Sequence, residues 1–156
     1  MKKLSIFILG LVFITACKEN IIYSSEIKII DESWSYGQKL NYVWDIQDTS
    51  LQYDILLTLK HGADLKYHNL YTKIISVYPD STKFENILSL ELFSPNGRPL
   101  GECSGSRCTT PILLQEKVSF NKIGKYKIEL QQNSRDSVIQ NISAIALEIS
   151  KSELTK

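Results

Sequence analysis

Three cysteines, two histidines and a few adjacent carboxylates are the side chains here from which chemistry could be built. A cysteine can be a nucleophile, a metal ligand, half of a disulfide or a lipid attachment point, and its surroundings decide which. Cys17 closes the apolar run LGLVFITAC and is followed at once by Lys18, Glu19 and Asn20. Lys2 and Lys3 form a basic start, and Leu4 to Ile14 form an apolar core too short to span a bilayer, which together are the parts of an export signal. Ile14-Thr15-Ala16-Cys17 then fits the loose pattern of a bacterial lipobox. Cleavage before Cys17 would make it the new N-terminus, carrying a thioether-linked lipid and an amide-linked acyl chain. Two such hydrophobic signals are what stable anchoring needs, because one chain alone binds membranes only marginally.

Cys103 and Cys108 are then left as an even pair in an oxidising compartment, and the expectation is a disulfide. Glycine and serine in GECSGSRCTTP let the chain turn tightly enough for it. Closing so short a loop is worth on the order of 2 kcal/mol in the chain-entropy picture. The alternative is a metal site completed by His61 and His68; its spacing is not that of the paired-cysteine zinc motifs, and the histidines lie far upstream. Catalytic patterns are sparse. The sequence has no G-x-S-x-G turn, H-E-x-x-H helix or phosphate-binding glycine loop, and Asp31-Glu32 has nothing to mark it as an acid–base pair rather than solvated surface charge. No enzyme activity, metal or cofactor is expected.

Aromatic residues form the one denser cluster. WSYGQKLNYVWDIQD carries Trp34, Tyr36, Tyr42 and Trp44, and LKYHNLYTKI adds Tyr67, His68 and Tyr71. Exposed together, these rings could stack on sugars or anchor a protein partner. The competing reading has them covering the end of a core, apolar body inward and polar tip outward, and the residue types favour it.

The elements that must position these residues are strands. Tyr53, Ile55, Leu57 and Leu59 recur with a period of two, broken only by Leu56; so do Leu88, Leu90 and Leu92, then Tyr126, Ile128 and Leu130, then Ile145, Leu147 and Ile149. Ile74 to Tyr78 and Ile112 to Phe120 read as strands of less certain facing, SPNGRP reads as a turn, and DESWSYG could hold a helical turn. About seven or eight short strands without a long amphipathic helix predict an all-β chain: a single antiparallel β-sandwich, preferred over a barrel. The expected organisation is a signal at 1–16, a lipidated N-terminus and tether at 17–26, and a β-sandwich domain at 27–156. Losing the signal removes two of 18 basic residues and leaves near parity with 17 acidic ones. That balance, with no basic cluster, argues against a nucleic-acid partner.

Several of these segments, in this order, resemble one known family: the signal with Cys17, then YGQKLNYVWDIQDTSLQYDILLTLKH with Trp44, Asp48 and Tyr53, then YHNLY with Tyr67, Asn69, Leu70 and Tyr71, then PNGRPLGE, and finally FNKIGKYKIELQQ and ISAIALEISK. They are similar to the GldH-type gliding-motility lipoproteins of Bacteroidota, of which this would be a divergent member. The resemblance implies a non-enzymatic, lipid-anchored envelope component of gliding, a process coupled to type IX secretion, whose partners are the membrane and other envelope proteins of that machinery. It brings no catalytic residues. Lys18-Glu19 also resembles the lysine-plus-acidic signal of some surface lipoproteins, although Asn20 interrupts it. The outer membrane is therefore expected, with the leaflet left open. The alternative function is a surface glycan-binding lipoprotein using the aromatic cluster.

Overall fold

The computed structural model describes residues 20–153; the expected signal and the lipidation residue Cys17 lie outside them. Among the described residues strands make up most of the chain, and no α-helix is present. In chain order these are β1 (Ile21–Lys28), β2 (Ser33–Ser35), β3 (Leu40–Ile46), β4 (Gln52–Gly62), β5 (Asn69–Val77), β6 (Lys83–Glu91), β7 (Glu102–Ser104), β8 (Arg107–Ser119), β9 (Gly124–Gln132), β10 (Val138–Gln140) and β11 (Ile142–Lys151). A five-stranded sheet runs β1-β11-β4-β8-β7 and a four-stranded sheet β3-β9-β5-β6, while β10 and β2 form a separate ribbon. Every pairing is antiparallel.

Alternation explains how the two larger sheets enclose a core. Leu40, Tyr42, Trp44 and Ile46 are the buried side of β3, with Asn41, Val43 and Asp45 outward. Tyr53, Ile55, Leu57 and Leu59 from β4, Tyr126, Ile128 and Leu130 from β9, and Ile145, Leu147 and Ile149 from β11 join them in one apolar cluster. Each residue type sits where a period of two places it on the inner face. Trp34 from β2 and Ile139 from β10, paired across the ribbon, are fully buried and close one end of that cluster.

The all-β expectation holds, but the strand count of seven or eight was too low. Three of the extra strands, β2, β7 and β10, are only three residues long, below the length at which periodicity can be seen. The fourth is β1. The segment expected to be tether as far as residue 26 is a strand from Ile21, paired with β11 over most of its length. Its inward positions are Ile21, Tyr23, Ser25 and Ile27, and Ser25 interrupts the apolar stripe; an edge strand that is only half covered tolerates that. DESWSYG does contain a helical turn, of the 3-10 type, at Ile30–Glu32, where Asp31 and Glu32 both take φ of 51°. The stripe Leu88, Leu90, Leu92 is buried only from Leu90 onward, because the start of β6 extends past the cover of the opposite sheet.

Connections fall at two ends. One end holds Asn20, the 47–51 and 120–123 connections and the last described residues, tied by hydrogen bonds from Lys151 N to Asn20 O (2.7 Å) and Ser152 N to Gln52 O (2.9 Å). The other holds the β2–β10 ribbon, the 63–68 and 133–137 loops and the 92–101 strap. In that strap Ser94 N donates to Arg98 O and Gly97 N to Ser94 O, both at 2.8 Å, a turn that needs the positive φ of Gly97 (78°).

Candidate interaction surface

Alternation splits the aromatic cluster in two. Trp34 (0% exposed), Tyr42 (0%) and Trp44 (5%) point inward, so they are core residues and offer nothing to a ligand or partner. Tyr42 donates its hydroxyl to Ile145 O at 2.7 Å, and Trp34 donates Nε1 to Gln38 O at 3.1 Å, which satisfies the polar atom of each inside the fold. Trp44 stacks on Tyr126 with centroids 6.1 Å apart. Desolvation raises the Tyr42 phenol far above its ordinary value, keeping it protonated and a donor. The two indoles are therefore core residues, the reading that the residue types favoured, and the sugar-stacking alternative loses both. The period of two through Leu40, Tyr42, Trp44 and Ile46 was the sequence signal that could have shown this.

The surface half stays together. Tyr36 (47% exposed) and Tyr71 (51%) lie at the end of the sandwich opposite Asn20, with Tyr67 half-buried and His68 exposed beside them. Two of the four hold the 133–137 loop with their phenols, and Tyr71 touches it through its backbone. The Tyr36 hydroxyl donates to Ser134 O and lies 3.3 Å from Arg135 O, Tyr71 O accepts from Asn133 N at 2.8 Å, and the Tyr67 hydroxyl donates to the Asp136 carboxylate. Gln132, buried at the end of β9, braces the loop from inside: Nε2 donates to Asp136 O and Ser137 O at 3.0 Å each, while Oε1 accepts from Ser134 N at 2.9 Å. Lys66 adds charge, with Nζ 3.5 Å from Asp136 Oδ2 and 5.5 Å from the centre of the Tyr67 ring.

These contacts shift both partners. The hydrogen bond from Tyr67, and after it the charge of Lys66, hold the Asp136 carboxyl below its ordinary range. The same hydrogen bond raises the Tyr67 phenol. The result is a braced rim of two phenols, one cation and one carboxylate, with Arg135 exposed on the same loop. Gln132, Arg135 and Asp136 were not singled out in the sequence; the polar run QQNSRDS between two strand signals was the available cue.

The remaining expected residues fall elsewhere. His61 is fully buried, its Nδ1 donating to Gly62 O and its Nε2 accepting from Thr110 Oγ1, both at 2.9 Å. The carbonyl can only accept, which fixes the proton on Nδ1. Cys103 and Cys108 face each other in the β7–β8 pair and are disulfide-bonded. Among the described residues no group of three or more His, Cys, Asp or Glu side chains is arranged to hold a metal ion, and no helix is long and apolar enough to cross a membrane.

The GldH lipoprotein family model matches residues 21–149, from the first residue of β1 into the last strand. The chain belongs to the GldH lipoprotein family. A gliding motility lipoprotein GldH homolog from Christiangramia forsetii is 26% identical over 155 residues, covering 95% of this chain and 94% of the relative. The GldH-family match therefore spans both large sheets, the β2–β10 ribbon and the 133–137 loop.

Proposed function

We propose that this chain is a lipid-anchored cell-envelope protein, a non-enzymatic accessory of the gliding-motility machinery linked to type IX secretion, held at the outer membrane through Cys17. The observation that carries the reading is the GldH family match from β1 to β11, together with a relative of nearly equal length whose name assigns it to gliding motility. The lipobox Ile14-Thr15-Ala16-Cys17 supplies the anchor. Only Lys18, Glu19 and Asn20 separate that residue from β1, so the anchored end of the sandwich stays close to the bilayer. The opposite end, with Tyr36, Tyr67, Tyr71 and the 133–137 loop, is the surface for other envelope proteins. Tyrosine suits the role because it gives contact area at low conformational cost with a hydroxyl at the tip.

The test is genetic and biochemical together. Deletion is expected to reduce colony spreading, adhesin export and secretion, and affinity capture of the lipidated chain to recover envelope proteins of the machinery. Tyr36→Ala with Tyr71→Ala should lower that recovery while the β signature in circular dichroism stays unchanged. Normal spreading and secretion in the deletion strain would remove the gliding reading, and unchanged recovery with the double variant would remove the tyrosine surface.

A further inference from the structure

Strand β6 is an edge left open. It has a neighbour on one side only, β5, with which it pairs over nine consecutive residues without a bulge. Residues 83–89 are exposed on both faces, including Phe84 (56%) and Ile87 (56%), with Leu88 also beyond the cover of the opposite sheet. A long, regular edge strand with exposed apolar side chains is a template for another strand, because its outward N–H and C=O groups lack partners. Natural edges are usually blunted. The β8 edge carries Pro111, the left-handed Lys117 (φ 52°) and two register shifts, and the β1 edge has a shift between Ile21 and Tyr23. β6 carries none of these devices.

The sequence of β6, KFENILSLE, is complementary to itself. In a two-fold pairing whose axis is normal to the sheet, both copies show the same face, so only residues of one face can stand opposite each other. The register that pairs all nine residues is centred on Ile87. It sets Lys83 against Glu91 of the second copy, twice by symmetry, and Ile87 against itself on the outer face; Phe84 meets Leu90 and Asn86 meets Leu88 on the inner face. The next allowed slip one way sets Glu85 against Glu91 twice, and the other way leaves Glu91 beyond the paired stretch. Opposite charges across a strand pair stabilise and like charges destabilise, so the full-length register is also the electrostatically favoured one. Glu85 is already engaged within its own chain, its Oε1 2.7 Å from Lys73 Nζ.

We infer that β6 pairs antiparallel with β6 of a second copy of this chain, joining two four-stranded sheets into one of eight. The inner residues of the added strand then extend the wall of the open cleft lined by Ile55, Ile74, Leu88, Leu114 and Ile128. Since the two-fold is normal to the sheets, Asn20 of both copies stands at one height along it, and both anchors reach a single membrane with the sheets lying along the bilayer. Confinement to that plane raises the effective concentration of a contact built from one strand.

The test uses the full chain in its own membranes. Ile87→Cys should give a covalent dimer on mild oxidation, whereas Val43→Cys, exposed on the outer face of edge strand β3, should not. Lys83→Cys and Glu91→Cys should each fail alone and cross-link when the two are co-expressed, which reads the register directly. In detergent-extracted protein, Lys83→Glu is expected to raise the dimer dissociation constant by about tenfold, and the charge swap Lys83→Glu with Glu91→Lys to restore it. A monomer in sedimentation equilibrium across the micromolar range, Ile87→Cys cross-linking no more than Val43→Cys, or Ile87→Cys adducts only with other proteins would each overturn the inference. None of these outcomes depends on spreading or secretion, so the dimer and the gliding role fail separately.

Discussion

Asp136 and Tyr67 show how single side chains hold the rim of this surface in shape. A carboxyl whose pKa is lowered in the folded chain contributes stability above the ordinary aspartate value of 3.8 and loses it as the pH falls through the lowered value. The 133–137 loop is thus expected to stay braced at any pH near neutrality and to loosen only in acid. Carboxyl-carbon NMR should place the Asp136 midpoint below 3.8, and Tyr67→Phe should move it upward; an unmoved midpoint would show that the phenol is not its main partner. None of this was readable in sequence, because Tyr67 and Asp136 are 69 positions apart and their meeting depends on the course of β5 and β9. Residue type alone pointed to the aromatic cluster as a group, and burial then divided it.

At the scale of elements, legibility tracks how completely a strand is covered. β4, β9 and β11 each have strand neighbours on both sides and showed alternation in the sequence, broken in β4 only by Leu56. β1, at an edge, has a serine on its inner face and was missed; β6 was found, but its stripe did not show that Leu88 lies beyond the cover of the opposite sheet. Periodicity reports which residues share a face and says nothing of where the opposite sheet ends. The strap that follows β6 makes a sharper demand. A Cβ at Gly101 would stand 2.1 Å from Thr109 O and 2.6 Å from Thr110 Cα, backbone atoms of β8 that cannot swing aside. Gly101→Ala should therefore cost about 1–3 kcal/mol by lifting the strap from β8, measured as a lowered urea midpoint at unchanged slope. Gly97→Ala is different in kind, because nothing lies within 4 Å of its Cβ and only its φ of 78° opposes the change.

Over the whole molecule, the sandwich provides an N-terminal end at Asn20 and an opposite end that carries Tyr36 and Tyr67, with the β6 edge running between them. The fold class was legible because it rests on local pattern. The two ends were not, since they follow from the order in which strands enter two sheets. If the acyl chains on Cys17 are what retains the protein, Cys17→Ser should move it from the membrane pellet to the soluble fraction. Unchanged fractionation of that variant would transfer the anchoring role to another part of the chain.

The pairing of β1 with β11 also sets how the protein bears load. Antiparallel hydrogen bonds lie across the strands, so a pull along β1, from Asn20 against a hold at Tyr36, strains the whole ladder at once in shear. A pull that separates Asn20 from residue 153, which sit at the same end, peels the same bonds one after another. Single-molecule pulling between residue 20 and residue 36 is expected to need clearly more force than pulling between residues 20 and 153. An attachment of this geometry resists drag along its length while remaining easy to dismantle from its edge.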